Sequence, residues 1–181
     1  AAGKGYMFMH GLIKVCATLL QEHEKLNATI VEKMLHYYGG VNMGVAVAVK
    51  EGLVVPVLKG VDDMSVDQIV EAYSAIVPKA KSGKLTVEDM SGGTFTISNL
   101  GMAGIDAFTP VVNYPEAAIL GVGRTNDRVV FGADDKLERR KTVIFSLTLD
   151  HRIVDGYVGA MFLESLAQTL GDKEKTRIAV E

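Results

Sequence analysis

Ser146-Leu147-Thr148-Leu149-Asp150-His151-Arg152-Ile153-Val154-Asp155-Gly156 is the stretch on which the reading of this chain turns. Its first part closes the run 142–149, rich in β-branched and apolar residues, which predicts a buried strand. Its end opens the segment 157–170, whose apolar spacing predicts an amphipathic helix. A charged cluster between two buried elements comes to lie at a sheet edge or cleft, where sites form. Histidine is the side chain best suited to take up a proton near neutral pH. Asp155 falls at the start of the helix, and Gly156 lets the backbone pass closely. From spacing alone the plainer account is the stronger one. Asp155 caps the helix and His151 is structural, because His-x-x-x-Asp is a common spacing.

Outward from this stretch, helices and strands alternate in blocks. Apolar residues at Phe8, Leu12, Val15, Cys16, Leu19 and Leu20 predict a helix over 6–23. Residues 29–38 predict a strand region closed by Gly39-Gly40. The runs 45–49 and 53–58 predict paired strands around Lys50-Glu51-Gly52. Ser65-Val66-Asp67-Gln68 is a capping-box pattern opening a helix that reaches about Ala80, and Ser82-Gly83 ends it. A helical turn over 86–90 leads to a strand over 94–98 and a loop over 99–104. Strands follow at 117–122 and 129–131, with Asn126-Asp127 as turn chemistry between them. Strands adjacent in sequence with few intervening helices imply α+β, a mixed or antiparallel sheet covered by helices. No Gly-x-Gly-x-x-Gly follows a strand and opens a helix, which disfavours a dinucleotide fold.

At 181 residues the chain suits one domain able to bury its own core. A net charge of −3, with no long block of like charges, leaves no electrostatic footprint for nucleic acid. The apolar runs are strand-sized, so no membrane span is expected, and no signal peptide is visible before the first helix. The single cysteine, Cys16, lies on an apolar helical pattern and reads as a small core residue rather than a nucleophile. One cysteine forms no internal disulfide, which fits a cytoplasmic or mitochondrial-matrix protein.

Four segments carry a resemblance to a known family. They are the stretch quoted above, Gly93-Thr94-Phe95-Thr96-Ile97-Ser98-Asn99-Leu100-Gly101, Phe108-Thr109-Pro110-Val111-Val112-Asn113-Tyr114-Pro115-Glu116 with its continuation to Gly123, and Asn42-Met43-Gly44-Val45-Ala46-Val47 with Gly52-Leu53-Val54-Val55-Pro56-Val57. In this order they resemble the catalytic domains of the dihydrolipoamide acyltransferases of 2-oxo acid dehydrogenase complexes, related to the chloramphenicol acetyltransferases. The resemblance implies a chloramphenicol-acetyltransferase-like α+β fold over residues 1–181. It also implies acyl transfer between dihydrolipoamide and coenzyme A. His151 would then be the general base toward the thiol, Ser98 the oxyanion donor, and Asp155 an orienting residue. Coenzyme A and lipoamide would be the substrates, with no metal. The partners implied are a homotrimer building a polyhedral core, lipoyl domains, and the 2-oxo acid decarboxylase and dihydrolipoamide dehydrogenase components. Neither nucleic acid nor membrane is implied.

Without the resemblance, Ser98 reads as a turn-stabilising residue ahead of Asn-Leu-Gly. His10, His23 and His36 match no signature position and read as surface or packing residues, as Met7 and Met9 do. Family domains usually begin earlier, so the chain reads as N-terminally truncated, without lipoyl or peripheral subunit-binding domain. Succinyl-specific relatives tend to carry Thr at the Ser98 position and Gln at the Glu116 position, and branched-chain relatives usually lack Phe-Thr-Pro. Ser98, Phe108 and Glu116 therefore resemble the acetyl-transferring branch.

Overall fold

The computed structural model describes residues 7–132 and 134–180. Helix α1 (Phe8–Glu22) is followed by the hairpin β1 (Ala28–Val31) and β2 (Met34–Tyr37). Next come β3 (Met43–Val45), β4 (Val47–Val49), β5 (Gly52–Val54) and β6 (Val57–Leu58), and then α2 (Val66–Lys81). The second half holds β7 (Phe95–Asn99), β8 (Ala118–Val122), β9 (Asn126–Phe131), β10 (Leu137–Thr142) and β11 (Phe145–Leu149). It closes with α3 (Gly156–Gly171) and α4 (Lys173–Val180).

Five strands form the central sheet in the order β11-β8-β7-β3-β6. β3, β7 and β8 run parallel, while β11 and β6 run antiparallel at the two edges. The sheet is mixed, and the fold is α+β as the order of elements predicts. One face carries Phe95, Ile97 and Leu120, all fully buried in the core shared with Leu12, Leu20, Phe162 and Leu166 of α1 and α3. Burial of this kind stabilises by roughly 25 cal/mol per Å² of apolar surface, and here it sets which face each strand turns inward. α3 packs closely on β11 at Gly159, where a methyl group would lie 2.7 Å from Leu149 Cδ2.

The capping box at the start of α2 is formed as its spacing predicts. Gln68 N donates to Ser65 Oγ at 3.3 Å, and Ser65 N donates to Gln68 Oε1 at 2.8 Å. Cys16 is fully buried in α1, which raises its thiol pKa and leaves it inert. The helix start expected at Tyr6 lies outside the described residues.

Several local expectations are corrected. Residues 29–38 form a two-stranded hairpin, turning through Glu32 and Lys33 at φ 50° and 67°. Neither residue is a Gly or Asn, so the usual left-handed turn signal was missing. The runs 45–49 and 53–58 are each split: β4 pairs β5 around the turn, while β3 and β6 pair within the central sheet. Asn126-Asp127 is not a turn but the start of β9. Asp127 lies opposite Lys141, and Arg139 Nη2 donates to its carboxylate at 2.6 Å. Cross-strand charge pairing outweighs the turn preference here. The run 142–149 is two strands: its first residue ends β10, and β11 begins at Phe145. The β-branched sequence Thr142-Val143-Ile144 hides the change of sheet. β10 and α4 are too polar to show a core-facing pattern, and both escaped the sequence reading.

Candidate active site

His151 lies just past β11. Asp150 continues the antiparallel pairing by donating its backbone N–H to Ala117 O at 2.8 Å. The chain then turns tightly, with Ile153 N and Val154 N both donating to Asp150 O, at 2.8 and 3.0 Å. A local ion pair stiffens this turn: Arg152 Nε donates to Asp150 Oδ1 at 2.9 Å, and its Nη2 to Oδ2 at 2.5 Å. The guanidinium holds the Asp150 carboxyl below its ordinary pKa, so Asp150 stays ionised and turned toward Arg152. Buried Val154 anchors the far side of the loop. His151 is thereby left exposed on a rigid turn, and among the described residues no side chain hydrogen-bonds to it.

Asp155 sits at the N-cap of α3, where the plainer account puts it. Its carboxylate makes no capping bond, and only its backbone carbonyl accepts, from Val158 N at 3.0 Å. An exposed carboxylate at a helix N-terminus is stabilised by the dipole without a direct bond. It stays available on the same loop as His151.

Ser98 is half-buried near the end of β7, on the sheet face opposite the core. The turn beyond it is stabilised by Asn99, whose Oδ1 accepts from Gly101 N at 2.8 Å. Among the described residues, no hydrogen bond of the Ser98 side chain contributes to this turn. Ser98 lies beside Gly121 on β8, and a methyl group at Gly121 would stand 3.1 Å from Phe108 Cζ and 3.2 Å from Pro110 Cδ. The segment 105–117 thus walls the Ser98 side of the sheet. Asp106 fixes the outer end of that wall, accepting from Arg124 Nε at 2.6 Å and from Asn126 Nδ2 at 2.7 Å.

His151 and Ser98 do not meet within the chain. Across β8, Leu149 pairs with Ala118 and Ser98 with Gly121, three residues further along. With ~3.3 Å per residue and ~4.8 Å between strands, Leu149 and Ser98 stand on the order of 15 Å apart, and His151 lies two residues beyond Leu149, past the end of β11.

The wall's inner end holds a feature the sequence reading missed. Glu116 is 2% exposed, with Thr96 Oγ1 donating to its Oε1 at 2.9 Å and Asn113 Nδ2 at 3.0 Å. Its Oε2 is buried with no partner, and burial raises the pKa of the carboxyl. In the sequence Glu116 served only to distinguish acyl groups. Its position directly before a fully apolar strand is the signal of burial that was available. His10 is also buried, its Nδ1 accepting from Met7 N at 3.1 Å at the start of α1. Met9 is buried, whereas Met7 is half-exposed. Among the described residues, no group of three His, Cys, Asp or Glu side chains could hold a metal ion.

Comparison with known proteins places the chain in a family. The family described as 2-oxoacid dehydrogenases acyltransferase (catalytic domain) matches residues 2–178. The chain is 39% identical over 168 residues to a dihydrolipoyllysine-residue succinyltransferase component of the 2-oxoglutarate dehydrogenase complex from Rickettsia typhi. It is 40% identical over 152 residues to an acetyltransferase component of the pyruvate dehydrogenase complex from Rickettsia conorii. These matches cover 93% and 84% of this chain but 42% and 37% of the relatives, so the chain spans about two fifths of their length.

Two solved structures superpose with a TM-score of 0.90 at 36% identity, covering 97% of this chain and 72% of theirs. One is the Azotobacter vinelandii dihydrolipoamide acetyltransferase, studied for the catalytic roles of a serine, a histidine and an asparagine. That histidine and asparagine are four positions apart, the spacing of His151 and Asp155. The other is the cubic core of a pyruvate dehydrogenase multienzyme complex. A chloramphenicol acetyltransferase, 14% identical with a TM-score of 0.56 over 92% of this chain and 78% of its own, shares the fold.

Proposed function

The chain belongs to the 2-oxoacid dehydrogenase acyltransferase family, and from that premise we propose that it transfers an acetyl group between dihydrolipoamide and coenzyme A. His151 acts as general base and Ser98 as oxyanion donor. The observation that carries this reading is the state of the side chains themselves. His151, Asp155 and Ser98 lie on ordered elements, yet their side chains take part in none of the local turn and cap bonding. A purely structural histidine or serine would be engaged there.

The chemistry follows from the groups. A thiol with a pKa near 8.5 is mostly protonated at neutral pH, so a base in hydrogen-bond reach is needed. His151 takes the proton from the attacking thiol, and the thiolate forms a bond to the thioester carbonyl carbon. The carbonyl oxygen becomes an oxyanion, stabilised by the Ser98 hydroxyl. Collapse breaks the bond to the original sulfur, which leaves with the proton held by His151. Asp155 is an orienting residue of the assembled site and exchanges no proton.

Separation of His151 and Ser98 within one chain supports a site completed between chains, the histidine of one facing the serine of its neighbour in a trimer. The trimers build a polyhedral core that receives lipoyl domains and the decarboxylase and dihydrolipoamide dehydrogenase components. Likeness to a cubic core supports this assembly.

Acetyl transfer is supported by Ser98, Phe108 and Glu116; the relatives include both acetyl- and succinyltransferases at similar identity. The test is direct. Acetyl- and succinyl-coenzyme A are each offered with free dihydrolipoamide, and thiol release is measured; chloramphenicol is a third acceptor arm. Fast acetyl transfer to dihydrolipoamide is expected. Preference for succinyl overturns the specificity, and transfer to chloramphenicol alone overturns the function.

A further inference from the structure

We infer that Glu116 is a positioning residue for Ser98, a buried carboxyl that ties the Ser98 strand to the wall covering it. This rests on the oxyanion role proposed for Ser98.

The two donors on Oε1 come from the two parts that must stay in register. Thr96 lies on β7 two residues before Ser98, on the same sheet face, while Asn113 belongs to the 105–117 wall. Convergence of both on one oxygen marks Oε1 as the acceptor that joins the two parts. An ionised carboxylate in this place would leave a buried charge with no cationic partner among the described residues.

Room for the cluster is built into the backbone. A methyl group at Gly93 would lie 2.8 Å from Glu116 Oε1, and one at Gly44 would lie 2.5 Å from Thr96 Oγ1. Two glycines, one on β3 and one just before β7, thus clear space for the same carboxyl–hydroxyl pair. Core packing alone calls for neither a carboxyl nor that space, since Thr96 and Glu116 could be replaced by apolar residues at little cost.

His151 is held differently: its neighbour Asp150 donates its backbone N–H to Ala117 O, a main-chain bond in which the Glu116 side chain takes no part. The carboxyl therefore acts on the serine side of the chemistry. Loss of the tether shifts Ser98 relative to Phe108 and Pro110, and small displacements of a catalytic donor are felt mainly in kcat.

The experiment is a double-mutant cycle in the assembled protein, with kcat, KM and melting temperature measured on each preparation. Glu116→Ala is expected to lower kcat by roughly 10- to 100-fold with KM little changed. Glu116→Gln, whose amide oxygen accepts both bonds, is expected to retain activity. On a Ser98→Ala background, Glu116→Ala is expected to change kcat by less than about twofold, because the group it positions is already gone. If Glu116→Ala does not fold, Thr96→Val carries the same cycle with a smaller loss in the same direction. A folded Glu116→Ala or Thr96→Val protein with undiminished kcat overturns the proposal, as do losses that multiply with Ser98→Ala. Wild-type turnover independent of Ser98 overturns the oxyanion role and this proposal with it.

Discussion

Ser98 and His151 stand at opposite ends of strands joined through β8. Leu149, two residues before His151, pairs with Ala118, and Ser98 pairs with Gly121. A general base and an oxyanion donor must both come within about 3 Å of one reacting centre. One chain cannot bring these two together at that range without breaking the sheet, so in the proposed mechanism each is half of a site that a neighbouring chain completes.

Mixing tests that relationship. His151→Ala chains and Ser98→Ala chains are each expected to be nearly inactive alone. Co-assembled from the unfolded state, they are expected to regain a fraction of wild-type turnover, because some interfaces pair an intact histidine with an intact serine. Verified mixed assemblies without recovery would show that the two residues do not share a site.

Replacing His151 by Ala or Asn is expected to lower transfer by roughly 10²–10⁴-fold, the range for losing a general base. Its exposure and lack of local bonding mean the melting temperature should scarcely move. Near-wild-type turnover by either variant would remove His151 from the mechanism.

Ser98→Ala is expected to lower kcat by about 10²–10³ and leave KM nearly unchanged, since the hydroxyl acts on charge that develops only in the transition state. The stability loss should stay near 1 kcal/mol or below, because Asn99 holds the turn. A large stability loss with intact kcat would return Ser98 to a structural role.

Glu116 makes stability depend on pH with a definite sign. Burial raises its pKa in the folded chain, so the folded state keeps a proton that the unfolded state releases above about pH 4.5. Stability is lost as pH rises from there through the raised folded value. Glu116→Gln removes that loss. Urea denaturation should show the variant gaining on the wild type between pH 4.5 and 8, and a constant difference would mean that the carboxyl is not held neutral.

Much of this was legible in the residues. The capping box at Ser65, the burial of Cys16, the helices α1 to α3 and the α+β class follow from patterns that local physics enforces: apolar periodicity, cap chemistry and turn residues. The candidate residues were legible too, because the motifs around Ser98 and His151 are contiguous in sequence. Local sequence failed at the hairpin through Glu32-Lys33 and at the break inside 142–149, where β-branched residues continue through a change of sheet. It also failed for β10 and α4, whose polar residues leave no buried face to betray a period.

Sequence by itself determined which side chains are the candidates for the chemistry and what scaffold bears them. Tertiary structure alone decided how they are arranged. Sheet order put β8 between Ser98 and His151 and so held them apart, which no spacing along the chain expresses. It also brought Thr96, Asn113 and Glu116 together in a buried space cleared by Gly44 and Gly93. The reason is physical: strand pairing and burial depend on contacts distant in sequence, whereas motifs and caps are written in neighbouring residues.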